Sequence, residues 1–317
     1  MGESGARMRI RDLLLVGVQL AGMATGVFLP EVSSLVSPWV LYLMMVFLFL
    51  SFTRIRPEAL LGMRGRDLVE VLIWSFMKLV FLPLFTWALA EMLLPAYALP
   101  VLLLAGVSTG VVAPFIAELL EANSARVMQV VVVSSLLVPV TLPFWVKGFT
   151  GQEFEIPFVH MARMLGFVIC IPLGFALAAR MWAKGVLELL NRIQYPVPVS
   201  LFFAINMGIF ASYRVLVLSD PLEVVKALCV ASLLAALSPC IAWLFTRILP
   251  ARIDPLTGSV CLTFVNNVLI VVFSSLYFEA RAPLVAAMYM IPFFAMVIPI
   301  RWLSSLGRRG KSRQDSR

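Results

Sequence analysis

The chain has 317 residues, 62% of them hydrophobic and 13% charged, with a mean hydropathy of +0.99, whereas a soluble domain is about half apolar and about a quarter charged. A water-soluble fold cannot bury that much apolar surface, so a soluble enzyme or binding domain is excluded, and runs of about 20 apolar residues select bilayer helices over a barrel. The net charge of +8 does not point to nucleic acid, because the basic residues sit between apolar runs and form no stripe with interleaved aromatics.

Ten apolar runs, separated by charged residues, Pro or Gly, fall at about 12–30, 37–53, 68–90, 98–121, 125–146, 161–182, 196–217, 222–247, 254–277 and 282–303. They predict an all-α polytopic membrane protein with ten transmembrane helices in a single domain, 1–317. The first run follows Arg7, Arg9 and Arg11 in the manner of a secretory signal, but it continues past Gly26 without a cleavage site and is expected to be kept as the first helix. Its Gly22 and Gly26 have GxxxG spacing, which implies close packing and no more.

The third run carries Lys78 near the middle of WSFMKLVFLPLF. At about 1.5 Å per residue it lies more than ~10 Å from either end, too deep for its side chain to reach headgroups comfortably. A central lysine costs about 2.5 to 3.5 kcal/mol to insert, so Lys78 is expected to face a hydrated cavity or a counter-charge. The fourth run, LLLAGVSTGVVAPFIAELLEAN, has Ser108, Thr109 and Gly110 and then Pro114, which removes a backbone donor and disfavours helical geometry at Ala113. Gln129, Ser134 and Ser135 in the fifth run and Asn206 in the seventh are lesser polar candidates, and His160 at the start of the sixth is expected to be interfacial.

The ninth run, SVCLTFVNNVLIVVF, has Asn266 and Asn267 at its middle. The fourth and ninth runs are each the second-to-last span of their half, and interrupted helices at matching positions point to a midplane binding site. Half-helix amino ends there offer a positive dipole to an anion, while free carbonyls and Asn amides can hold a cation or a polar group of a solute. Cys170, Cys229, Cys240 and Cys261 stand singly in apolar runs, so neither a metal site nor a disulfide is expected. Paired carboxylates, HExxH, GxSxG and Gly-rich phosphate loops are missing from the sequence, so no enzyme and no cofactor are expected.

With the amino terminus in the cytoplasm, one side of the membrane collects Arg7, Arg9, Arg11, Arg54, Arg56, Arg64, Arg66, Arg126, Arg180, Lys184, Arg192, Arg247, Arg252 and the six basic residues from Arg301 to Arg317, which makes 19 of 25. Both termini are therefore expected in the cytoplasm of an inner-membrane protein, with residues 305–317 as a disordered basic tail. The halves also echo each other. Pro38 to Arg54 and Pro198 to Arg214 are apolar spans with Pro and Arg at equal separation. Glu121-Ala122 and Glu279-Ala280 precede spans ending TLPFW and VIPIRW. An odd number of spans per half makes the two copies, about 12–146 and 161–303, inverted repeats.

Ten spans, the third ending LPLF, and above all GVSTGVVAPFIAELLEANSARVMQVVVVSSLLVPVTLPF from Gly106 to Phe144 resemble the bile acid:sodium symporter family. The resemblance implies a core domain of helices 3 to 5 and 8 to 10, in which helices 4 and 9 cross where they unwind, a panel domain of helices 1, 2, 6 and 7, and a cleft that opens alternately to each side. It also implies sodium ligands around the crossing, yet the positions that match them depart from the family pattern. The usual Ser-Asn of helix 4 is Ala113-Pro114, the helix 5 hydroxyls fall on Val127 and Val131, the helix 9 acid falls on Leu262, and the helix 3 Gln falls on Lys78. Asn266-Asn267 stands for the family's Gln-Asn pair. An ammonium beside apolar side chains should repel sodium, so Lys78 is expected to substitute for the lost ion, either by carrying a coupling proton or as a fixed cation for a carboxylate substrate.

These features lead to a secondary transporter of a small, anionic organic solute, with the lipid bilayer as its surroundings and no metal. An auxin-efflux-type carrier of the same superfamily is the near alternative. A membrane sensor or assembly subunit without transport is the alternative of another class, and an appended soluble domain would be expected for it.

Overall fold

Backbone amides in hydrocarbon have no water to bond, so the chain must satisfy them internally. The computed structural model describes residues 17–18, 20–53, 65–150, 158–183, 185, 190, 196–248 and 253–303, and it is helical almost throughout, with no strand among the described residues. Arg7, Arg9, Arg11, Arg54, Arg56, Arg64, Lys184, Arg192, Arg252 and the basic tail 305–317 lie outside the described residues.

The first half comprises α1 (20–28), α2 (Pro30–Val36), α3 (Val40–Phe52), α4 (Arg66–Phe76), a π turn (Met77–Phe81), α5 (Leu82–Leu93), α6 (Ala98–Gly106), α7 (Ala113–Leu119) and α8 (Ser124–Thr150). It is followed by α9 (Phe158–Trp182), α10 (Pro196–Ser212), α11 (Arg214–Ser219), α12 (Pro221–Ile248), α13 (Pro255–Thr263), α14 (Asn267–Tyr277), α15 (Arg281–Met288), α16 (Met290–Ala295) and α17 (Val297–Leu303). Pro30, Pro196, Pro221 and Pro255 each open a helix, where a missing amide hydrogen leaves no bond unmade. Asp254 caps α13 by accepting from the Leu256 and Thr257 amides at 3.2 and 2.9 Å.

Five unbroken stretches among the described residues are long and apolar enough to cross a bilayer: Pro30–Phe52, Arg66–Leu93, Ser124–Phe149, Phe158–Trp182 and Pro221–Ile248. Arg281–Ala295 with Val297–Leu303 makes a sixth if its 46° bend is counted as one span. The fourth and ninth apolar runs are each two half-helices, α6 with α7 and α13 with α14.

The long helices turn one face outward, with Met92, Phe175 and Trp182 at 82%, 65% and 81% exposure. In contrast, α6, α13 and the first two turns of α14 are buried on nearly every side. A helix apolar all round belongs in the interior, and irregular backbone at membrane depth is tolerated only when protein surrounds it. The broken helices therefore sit at the centre. On the periphery, a Cβ added at Gly22 would lie 2.8 Å from the Phe203 carbonyl, so the GxxxG of α1 does pack backbone to backbone against α10.

Among the described residues, two ion-pair clusters staple helix starts together. Arg126 at the head of α8 pairs with Asp67 and, at 3.1 Å, with Glu70, both in the first turns of α4. Arg281 at the head of α15 pairs with Glu223 of α12 at 2.6 Å.

Candidate functional site

Lys78 owes its position to a defect in its own helix. Pro83 has no amide hydrogen for the carbonyl four residues back, and its ring would crowd that carbonyl in a regular α-helix. The chain widens into the π turn Met77–Phe81, in which the Leu82 amide donates to the Met77 carbonyl. The Leu79 carbonyl accepts instead from the indole N–H of Trp145 on α8, at 2.8 Å. π turns of this kind recur at functional sites.

From this turn the wholly buried Lys78 donates its ammonium to the Ala105 carbonyl at 2.7 Å. Ala105 lies in the last turn of α6, where carbonyls lack intrahelical donors and the helix dipole favours a cation. Packing brings the two helices this close. A Cβ added at Gly106 would meet Leu142 at 3.1 Å and Pro83 at 3.5 Å. Among the described residues Lys78 therefore meets neither a hydrated surface nor a carboxylate, as its depth had suggested, but a backbone oxygen freed by the break. Among the described residues, the wholly buried Cys261 of α13 is a titratable neighbour of Lys78.

After α6 the chain is extended at Val107 and pairs with the break in the ninth run. Thr109 and Val265 form an isolated antiparallel bridge. The Gly110 amide donates to the Phe264 carbonyl at 2.7 Å, and the Asn266 amide donates to the Ser108 carbonyl at 2.8 Å. Side chains close much of the remaining accounting. The Thr109 amide donates to Ser134 Oγ at 3.1 Å, Thr109 Oγ1 donates to the Cys261 carbonyl at 2.9 Å, and the Tyr289 hydroxyl donates to the Thr263 carbonyl at 2.6 Å. What stays open is polar and buried. Ser108 Oγ, Ser135 Oγ, Thr263 Oγ1 and both polar atoms of the Asn267 amide have no partner among the described residues, and buried polar groups of this kind call for a ligand or water.

The residues singled out in the sequence are thus sorted. Lys78, Ser108, Thr109, Gly110, Asn266 and Asn267 come together at the two breaks. Asn266 is a cap, its Oδ1 accepting from the Leu269 amide at 3.4 Å, so Asn267 is the member of the pair with free groups. Pro114 is not the break. Ala113 is helical, Pro114 sits in the first turn of α7 where it costs no bond, and the irregular residues are upstream, at 107–112. Gln129 belongs to the cluster at the head of α8, accepting from Arg126 at 3.0 Å. Asn206 donates to the Phe202 carbonyl of its own helix at 2.7 Å and packs beside Gly22. His160 meets the Tyr277 hydroxyl at 3.0 Å. Sequence reasoning missed Trp145, although Pro83 was a signal that some donor must reach Leu79.

A sequence profile of the sodium bile acid symporter family matches residues 38–219, more than half of the 317 residues. The chain belongs to the sodium bile acid symporter family. As a symporter-family protein with several bilayer-length apolar helices it is a multi-pass membrane transporter of a small solute and not an enzyme. The matched segment takes in Lys78, Ser108, Thr109, Gly110 and Pro114 but stops before Asn266 and Asn267. No curated protein matches the chain.

Proposed function

We propose that this sodium bile acid symporter relative is a secondary carrier of a small organic anion that works by alternating access, with the Lys78 ammonium standing where the family's coupling sodium would bind. The observation that carries the reading is the bond from a fully buried Lys78 to the Ala105 carbonyl, at the end of a broken helix. The positions to which the resemblance assigns sodium ligands, Ala113, Pro114, Val127, Val131 and Leu262, are apolar and buried, so their side chains offer no oxygen. Two unit cations about 4 Å apart repel by about 4 kcal/mol at an effective dielectric of about 20, which disfavours sodium beside Lys78. An ammonium has three donors, and the bond to Ala105 uses one; in the states of the cleft that open onto Lys78 in this reading, the others turn to a substrate carboxylate.

In this reading the chain has ten spans as two inverted repeats, a core with crossed helices, a panel, and cytoplasmic termini in an inner membrane. What supports the repeats is a shared opening. Asp67-Leu-Val-Glu70 begins α4 and Asp220-Pro-Leu-Glu223 leads into α12, and in each case the Glu pairs with an Arg at the head of a later helix.

Thermal unfolding of purified protein in detergent, in sodium against potassium and across pH, tests the reading. The expected result is no difference between sodium and potassium in wild type, and a pH dependence that disappears in Lys78→Gln. Specific stabilisation of wild type by sodium would mean that the protein is an ordinary sodium symporter and that Lys78 replaces no ion.

A further inference from the structure

The carbonyl of Leu79, the residue after Lys78, is held by a side chain on another helix. We infer that Trp145 is a positioning residue for Lys78: its indole N–H, bonded to the Leu79 carbonyl, supports the π turn that aims the ammonium at Ala105. The inference rests on the reading of Lys78 as the working cation.

Pro83 takes away the backbone donor that a regular helix would give Leu79, and a buried carbonyl at membrane depth needs a replacement. Trp145 supplies it at 2.8 Å. Leu79 directly follows Lys78, so the carbonyl that the indole holds is one residue along the π turn from the lysine backbone. The same stretch of α8 also bears on the acceptor side, because Leu142 packs against Gly106, next to Ala105. One helix therefore touches the donor turn and the acceptor turn within three residues, and a change in either contact alters the 2.7 Å separation of ammonium and carbonyl. Trp145 has a packing role as well, with its ring 5.1 Å from Phe144 and 6.1 Å from Phe149. Phe at 145 would keep most of that packing and lose the N–H.

The test uses the full chain in detergent and reads the midpoint of the pH dependence of thermal stability, with Cys261 as the facing titratable group and Cys261→Ser as its control. Trp145→Phe is expected to move the midpoint by at least about half a pH unit, a measurable change in the balance of the two charge states. Pro83→Ala, which lets Leu79 take a backbone donor and removes the reason for the π turn, is expected to displace the midpoint by itself and to leave Trp145→Phe without further effect. A uniform loss of stability in Trp145→Phe with an unmoved midpoint overturns the inference, and so does a further displacement when Trp145→Phe is added to Pro83→Ala. Should Trp145→Phe alone not fold, the comparison of the double variant with Pro83→Ala carries the test. Lys78→Gln separates the two levels: if the wild-type profile survives in it, the functional reading falls and this inference with it, whereas loss of the profile there with no response to Trp145→Phe removes the inference alone.

Discussion

Gly110 lies where two backbones meet, and the reason for glycine there is distance rather than dihedral angle. Among the described residues the positive-φ glycine is Gly65, so Gly110 is in a conformation open to other residues. A Cβ at 110 would nevertheless collide with the Val265 carbonyl, itself part of the paired breaks. Backbone cannot swing aside as a flexible side chain can, so Gly110→Ala is expected to cost about 1 to 3 kcal/mol through overpacking. Gly166 on α9 provides the control, since a Cβ there meets nothing within 4 Å, and Gly166→Ala should stay within about 0.5 kcal/mol of wild type. Melting temperatures of the two variants check this, and equal melting would mean that the breaks are not held as tightly as the bonds between them imply. The sequence carried Gly110 as part of a polar interruption, yet the reason for the glycine depends on Val265, 155 positions away, and could not be read locally.

At the scale of helices, the two arginine staples differ in burial and therefore in worth. The Arg126 side chain is 8% exposed and serves Asp67, Glu70 and Gln129, whereas that of Arg281 is 45% exposed and pairs with Glu223. Hydrogen bonds to charged groups contribute about 1.5 to 3 kcal/mol when shielded and about 1 kcal/mol or less when exposed; Glu223 is 11% exposed, so the second pair is half-shielded, and what sets Arg126 apart is that it serves three partners. Arg126→Gln should accordingly lower the melting temperature several degrees more than Arg281→Gln, and added salt should narrow the second loss more than the first. The same contrast explains what was legible. Apolar runs announce helices because lipid imposes that rule on every residue of a span, and Lys78 was conspicuous as a charge among Phe, Leu and Val. Pro114 misled, because a proline that removes a donor mid-span is cheap at a helix start, and only the fold tells the two apart. The π turn, the Trp145 bond and the use of Asn266 as a cap are tertiary outcomes with no periodic signature.

For the whole molecule, the telling quantity is the charge balance at its centre. The resemblance places an acid where Leu262 stands and a neutral Gln where Lys78 stands, and the proposed reading takes this as a negative charge lost and a positive one gained within one region. Leu262 is fully buried and adjoins Cys261, whose thiol lies within electrostatic reach of Lys78. If the lysine does the work of the ion, reversing both changes should bring the ion back. Lys78→Gln alone leaves a neutral centre and gives sodium little to bind. Leu262→Glu alone supplies a carboxylate that Lys78 can neutralise. Lys78→Gln with Leu262→Glu leaves a buried carboxylate without a cation, a state that is costly until a proton or metal ion joins it. A ligand present at about a hundred times its dissociation constant stabilises the folded state by about 2.7 kcal/mol, enough to resolve by melting in sodium against potassium. The double variant is therefore expected to melt higher in sodium, and wild type and both single variants equally in either salt. A double variant indifferent to sodium would mean that the backbone around the breaks presents no ion site, and that the exchange of charges does not by itself account for the proposed replacement of sodium by Lys78.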